Sequence, residues 1–185
     1  MLMEAHSSRE APEAFRLRQA EAADFEGLRS LWALFEGTTM TGVDSPGGFG
    51  LFLGRNPGMS FVAVESEGDR SERCRIVGSV LGGHDARRGY VYHLAVHPDF
   101  QDLGIARRLM ELVESAFSEA GLEKAHLFVY TDNPAIGFYE RIGWHLRSDI
   151  HVMSKLLDGD ADPAHPPPEA GERGHAGSNT ERGRS

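Results

Sequence analysis

The chain has 185 residues, with 40% hydrophobic and 25% charged residues, which is ordinary for one globular domain with a sizeable core. Its net charge of −9 argues against a nucleic-acid binder held by a broad basic surface, and no apolar run is long enough to cross a bilayer. The single cysteine, Cys74, has no intrachain partner, which excludes an internal disulfide framework.

The opening MLMEAHSSREAPEAF lacks the basic and apolar regions of a secretory signal, so a cytoplasmic location is expected. Residues 1–14 are expected to be flexible. FRLRQA alternates and reads as a strand. From Glu21 to Phe35 the residues Phe25, Leu28, Leu31, Trp32 and Phe35 share one helical face, with Asp24 in the first turn. A loop-rich stretch follows, TTMTGVDSPGGFGLFLGRNPG, with a short helix around Phe49–Leu53. SFVAVES and CRIVGSVLGGH read as strands around the turn EGDRSER, and YVYHLAV as a third after the turn DARRG.

GIARRLMELVESAFSEAGL is predicted as a helix burying Ile105, Leu109, Leu112, Val113 and Ala116, with Gly121 at its end. KAHLFVY reads as a strand. NPAIGFYERIG reads as a helix with Asn133 as N-cap, Pro134 at the first position and Gly143 at the end. WHLRSD and IHVMSKLL read as two last strands. Residues 158–185 are rich in Pro, Gly and charge and are expected to be disordered. His165 and His175 lie there and read as solvated rather than metal-binding. The folded region is therefore 15–157. The order β-α-α-β-β-β-α-β-α-β-β predicts an α+β (or three-layer α/β) domain, with a mixed, mostly antiparallel sheet of about seven strands flanked by helices.

The junction HLAVHPDFQDLGIARRLMELVE holds the main functional signal. A strand ends, a short polar turn follows, and a helix opens near Gly104. The first N–H groups of a helix lack internal partners and carry partial positive charge. Successive N–H groups in the turn add an anion-binding concavity. Gln101, Leu103, Gly104, Ile105 and Ala106 are thus candidates to wrap a pyrophosphate with main-chain donors. The alternative is that Gly104 only eases a tight turn. Neither the P-loop spacing nor the dinucleotide fingerprint is present.

Gln101-Asp102-Leu103-Gly104-Ile105-Ala106, placed between strand and helix after LAVHPDF, resembles the coenzyme A motif of the Gcn5-related N-acetyltransferases. Asn133 to Trp144, N-P-A-I-G-F-Y-E-R-I-G-W, resembles the second motif of the same family, in the right order. The likeness covers roughly residues 15–157. Gly78 to Tyr90, G-S-V-L-G-G-H-D-A-R-R-G-Y, further resembles a bacterial branch of small acetyltransferases without a defined substrate.

The resemblance implies an acetyl-CoA-dependent N-acetyltransferase acting on a primary amine of a small molecule or peptide. It implies no metal, nucleic-acid or membrane partner, and allows a homodimer. It implies that YVYHLAV and KAHLFVY are parallel and splayed, with the backbones of Leu94, Ala95 and Val96 meeting the pantetheine arm and one N–H polarising the thioester carbonyl. It adds Asp102 to the cofactor turn, and it implies that the Asn133 amide meets the pantetheine and that Tyr139 protonates the departing thiolate. Asn133 also reads as a plain N-cap, and Tyr139 as a packed residue. A coenzyme A-binding sensor without turnover is the alternative function, and a phosphate- or nucleotide-binding regulator a weaker third.

Many relatives carry a glutamate on the central strand as base, and that acid is absent here. Tyr92 and His93 flank its place. His93 has a suitable intrinsic pKa and is the candidate base, with a core or surface histidine as the other reading. Strand alternation predicts that Tyr92 and His93 face opposite sides, so that at most one meets the substrate. His93 and His97 are about 13 Å apart on an extended strand, too far for a metal pair. Trp32, Phe35, Phe49, Phe52, Arg55, Asp149 and His151 are candidates for the acceptor pocket, the aromatics reading equally as core. Asp149 and Glu36 could bind a cationic amine or be solvated acids. Cys74 reads as a small, semi-buried residue.

Overall fold

A computed structural model describes residues 14–35, 44–66 and 75–155. The expected loose N-terminal segment, the turn EGDRSER, Glu36, Cys74 and the tail from 156 on lie outside the described residues. Strand β1 (Phe15–Gln19) leads through a short 3-10 turn to helix α1 (Phe25–Trp32) and helix α2 (Pro46–Arg55). Strands β2 (Phe61–Glu65), β3 (Ile76–His84) and β4 (Gly89–Val96) follow, then helix α3 (Ile105–Glu119), strand β5 (Ala125–Leu127) and helix α4 (Ile136–Arg141). The sheet order is β1-β2-β3-β4-β5. The first four strands pair antiparallel, and β4 pairs with β5 in parallel.

Helices cover both faces. On one side Phe25, Leu28, Leu31 and Trp32 of α1 and Phe49 of α2 form a core with Val62, Val64, Ile76 and Leu81. On the other side α3 buries Ile105, Leu109, Met110, Val113 and Phe117. The i+4 row Ile105–Leu109–Val113–Phe117 sets the contact. Leu112 and Ala116, expected in the stripe, are only partly buried. Strand β3 is buried along all but its last residue, as a strand covered on both faces must be. Its glycines let α3 come close: a Cβ at Gly78 would lie 2.8 Å from Ile105 Cγ2.

Local chemistry explains the element ends. Ser45 caps α2 by accepting from the Gly48 N–H at 3.1 Å, with Pro46 in the first turn. The cap starts this helix earlier than the apolar run Phe49–Leu53 suggests. Asp24 accepts from the Glu21 N–H at 2.8 Å and takes both guanidinium nitrogens of Arg18, at 2.6 and 2.7 Å. Burial opposes its ionisation, but these bonds and the Arg18 charge outweigh burial and leave its pKa lowered. α4 begins two residues later than expected, because Asn133–Ala135 forms a turn in which the Ile136 N–H bonds the Asn133 carbonyl at 3.2 Å.

Two differences matter more. KAHLFVY is expected to be one long strand, yet β5 stops at Leu127. The stretch from Trp144 to Lys155 belongs to a separate unit and contains no strand. The sheet has five strands among the described residues against the about seven expected, a small difference within the same mixed, mostly antiparallel architecture. No helix among the described residues is long and apolar enough to cross a membrane.

The close approach of α3 to the sheet has a measurable consequence. A Cβ at Gly82 would press on the Met59 carbonyl and lie 2.5 Å from Val113 Cγ2. Gly82→Ala is therefore expected to destabilise the fold by about 1–3 kcal/mol through overpacking, read as a lower midpoint in urea unfolding.

Candidate functional site

The site begins with a register shift in β4. Ser79 pairs with Ala95 and Leu81 with Tyr92. Val80 alone therefore stands opposite two residues, His93 and Leu94, which is a β-bulge. His93 takes φ of 49°, in the left-handed region, which costs a non-glycine residue roughly 1–2 kcal/mol. Its surroundings hold it there. The Ser79 hydroxyl donates to the His93 carbonyl at 2.8 Å and accepts from Trp32 Nε1–H at 3.0 Å. Ser79 and Trp32 are buried. The His93 ring lies flat on the Trp32 indole, with centroids 4.1 Å apart and planes 18° apart.

The bulge overturns the alternation rule for the two candidates beside it. Tyr92 packs edge-on to Phe52 at 6.0 Å, and His93 stacks on Trp32. Phe52 and Trp32 both belong to the α1/α2 face. Tyr92 and His93 thus point to the same side, because the inserted residue resets the period of two.

Immediately beyond this point the parallel pair separates. β4 and β5 are matched only from Gly89↔Ala125 to Val91↔Leu127. β4 continues to Val96, whereas residues 128–130 leave the sheet. Main-chain groups of residues 92–96 that would face β5 therefore have no strand partner there. Such groups demand hydrogen bonds once shielded from water.

The end of this gap leads to the turn before α3. Asp102 (φ 62°) and Gly104 (φ 77°) are both left-handed. No atom lies within 4 Å of a Cβ built on Gly104. Glycine is thus required there by its backbone angle, and the space above it is open. Gln101, Asp102, Leu103 and Gly104 are exposed, and Ala106 is partly so. Ile105 sends its side chain into the core, leaving only its N–H for the turn.

The second expected motif forms α4 and its approach. The Asn133 side-chain oxygen accepts from the Ala135 N–H at 2.8 Å, so the residue does cap the turn, and its amide nitrogen is left to donate. Tyr139 is partly buried beside Phe138, with ring centroids 5.3 Å apart. Burial pushes its phenol pKa above the ordinary tyrosine range.

With this geometry the sequence comparison is decisive. The profile of the acetyltransferase (GNAT) family matches residues 16–144. The chain belongs to the GNAT acetyltransferase family. It is similar to an acetyltransferase of Pectobacterium atrosepticum, 39% identical over 99 residues, which is 53% of this chain and 66% of the relative. The chain thus spans just under two thirds of that relative's length. Among solved structures, Ard1 from Thermoplasma volcanium superimposes with a TM-score of 0.60 at 20% identity, over 73% of this chain and 85% of that one. AAC(6')-Iy, solved with the bisubstrate analogue CoA-S-monomethyl-acetylneamine, gives 0.59 at 16% identity, over 77% and 98%. At such identities the likeness speaks for the fold.

The remaining candidates of this GNAT chain divide cleanly. Trp32 and Phe49 are core, Phe35 and Phe52 line its margin, and Arg55 is exposed. Asp149 forms an exposed ion pair with Arg147 at 2.6 Å, and His151 is exposed; both lie in the separate unit. His97 is engaged elsewhere, with its Nε2 2.6 Å from Arg75. Sequence reading missed Ser79 and Asp44, whose Oδ1 stands 3.5 Å from His93 Nε2. Ser79 lies inside an apolar strand and Asp44 inside a loop, so neither carried a local signal. Ser79→Ala would leave the Trp32 N–H buried without its acceptor, at a cost of about 1–3 kcal/mol. Urea unfolding should show that loss, together with an altered tryptophan emission.

Proposed function

We propose that the chain moves an acetyl group from acetyl-CoA to a primary amine of a small molecule or peptide, by direct attack and without a covalent enzyme intermediate. The observation that carries this reading is the gap beyond Val91 and Leu127, which opens unpaired backbone beside the turn at Gly104. An amide-rich arm fits that gap by satisfying the main-chain groups of the stretch Leu94–Val96 that face β5, one of whose N–H groups would polarise the thioester carbonyl. A pyrophosphate fits the open turn Gln101–Ala106, where the helix N-terminus favours anions. The Asn133 amide nitrogen would donate to the same arm. AAC(6')-Iy, a neighbour in fold, was solved with the bisubstrate analogue CoA-S-monomethyl-acetylneamine, which supports the same pairing of substrates.

In the reaction the amine nitrogen forms a bond to the acetyl carbon as the carbon–sulfur bond breaks. Tyr139, its pKa raised by burial, stays protonated at neutral pH and donates to the thiolate. Proton transfer from the amine nitrogen to the resulting phenolate regenerates the phenol and completes the cycle. Overall, ammonium plus thioester gives amide, thiol and one proton released to water.

Thiol release from acetyl-CoA across polyamines, amino acids, aminoglycosides and peptides tests the proposal. Tyr139→Phe should lower kcat by about tenfold or more while acetyl-CoA affinity, followed by calorimetry, stays near that of the wild type. Tight binding with no turnover on any amine would instead make the chain a coenzyme A-binding sensor.

A further inference from the structure

Resting on the acetyl-transfer reading, we propose that Asp44 and His93 form its proton-accepting dyad. Asp44 is a positioning residue that fixes the imidazole tautomer, and His93 Nδ1 takes the proton from the attacking amine. Strand β4, GYVYHLAV, carries no acid of its own, and the structure puts this pair at its bulge.

Three independent contacts aim the ring. Its backbone is set by the bulge and the Ser79 hydroxyl. Its plane is set by the Trp32 indole. Its rotation is set by Asp44, with Oδ1 3.5 Å from Nε2. A carboxylate can only accept, so Nε2 carries the hydrogen and Nδ1 carries the lone pair. Nδ1 makes no hydrogen bond among the described residues. The two side chains are 21% and 19% exposed, open enough for a substrate and shielded enough for their interaction to count. His93 also stands two residues past Val91, where the β4–β5 gap opens, on the face opposite α3.

The charge environment is simple. Trp32 on α1 and Ser79 on β3 carry no charge, and the adjacent Tyr92 has a phenol pKa raised by burial and by Tyr90. Asp44, at the start of α2, is the charged group set against the ring among the described residues. Burial lowers the His93 pKa, and Asp44 opposes that lowering by its charge and its hydrogen bond. The imidazole is therefore neutral at neutral pH and ready to accept. In the reaction Nδ1 takes one ammonium proton and frees the nitrogen lone pair. The carbon–nitrogen bond forms, the carbon–sulfur bond breaks, and the sulfur gains its proton from Tyr139. The second nitrogen proton restores Tyr139, and the imidazolium releases its own to water.

The test records kcat/KM against pH for wild type, Asp44→Asn, Asp44→Glu and His93→Gln on the best amine. Carbon-13 NMR follows the imidazole titration in wild type and Asp44→Asn. Removing the carboxylate charge should lower the imidazole pKa and move the acid limb of kcat/KM to lower pH by the same interval. The plateau should fall about tenfold or more, with KM for acetyl-CoA unchanged and partial recovery in Asp44→Glu. His93→Gln should lose the acid limb and about a hundredfold in rate. Turnover with an unmoved acid limb in Asp44→Asn, or near-wild-type rate in His93→Gln, overturns the dyad alone. A wild type that binds acetyl-CoA yet turns over no amine overturns the transfer reading and the dyad together.

Discussion

One hydroxyl organises the centre of this protein. Ser79 sits in the middle of β3 with no exposure, accepts from Trp32 on α1 and donates to the His93 carbonyl on β4. Those two bonds hold an extra residue in β4 against a left-handed backbone. Each buried hydrogen bond is worth about 1 kcal/mol net, comparable with the roughly 1–2 kcal/mol that the angle costs. The strain persists because the surroundings over-determine it, as is common at working sites. A bulged strand bends and twists more strongly, and its parallel neighbour β5 follows it for only three residue pairs. The gap is the visible result.

Strand β3 therefore serves both faces at once. Toward α3 it offers glycines, which bring that helix, and with it the turn at Gly104, close to the sheet. Toward α1 it offers Ser79 and Leu81, which set Trp32 and so the ring of His93. The turn at Gly104 and the imidazole approach the same strand, β4, from its end and from its α1/α2 face. A thioester lying along the gap and an amine arriving from the α1/α2 side would meet near the bulge.

Burial acts on the two titratable candidates in opposite senses with the same outcome. It raises Tyr139 and lowers His93, because in each case the charged form is the one disfavoured. Both groups are thereby kept neutral near pH 7, the forms that the proposed roles of proton donor and acceptor require. Environments that push two pKa values apart are how a single site supplies acid and base together. Asp44 moderates the second shift, since an uncompensated buried imidazole would become too weak a base.

Periodicity alone determined most of the framework: the buried face of α1, the apolar strands β2 and β3, and the strand–turn–helix at Gly104. These are local properties, set by side-chain spacing and by the backbone freedom of glycine. The two motifs likewise marked Gln101–Ala106, Asn133 and Tyr139 as candidates. The tertiary structure alone decided the bulge, the early end of β5, the shared face of Tyr92 and His93, and the neighbourhood of Ser79 and Asp44. Each of these depends on pairing register or on contacts between residues far apart in the chain. Val80 facing two residues leaves no mark in YVYHLAV, which alternates as a regular strand would.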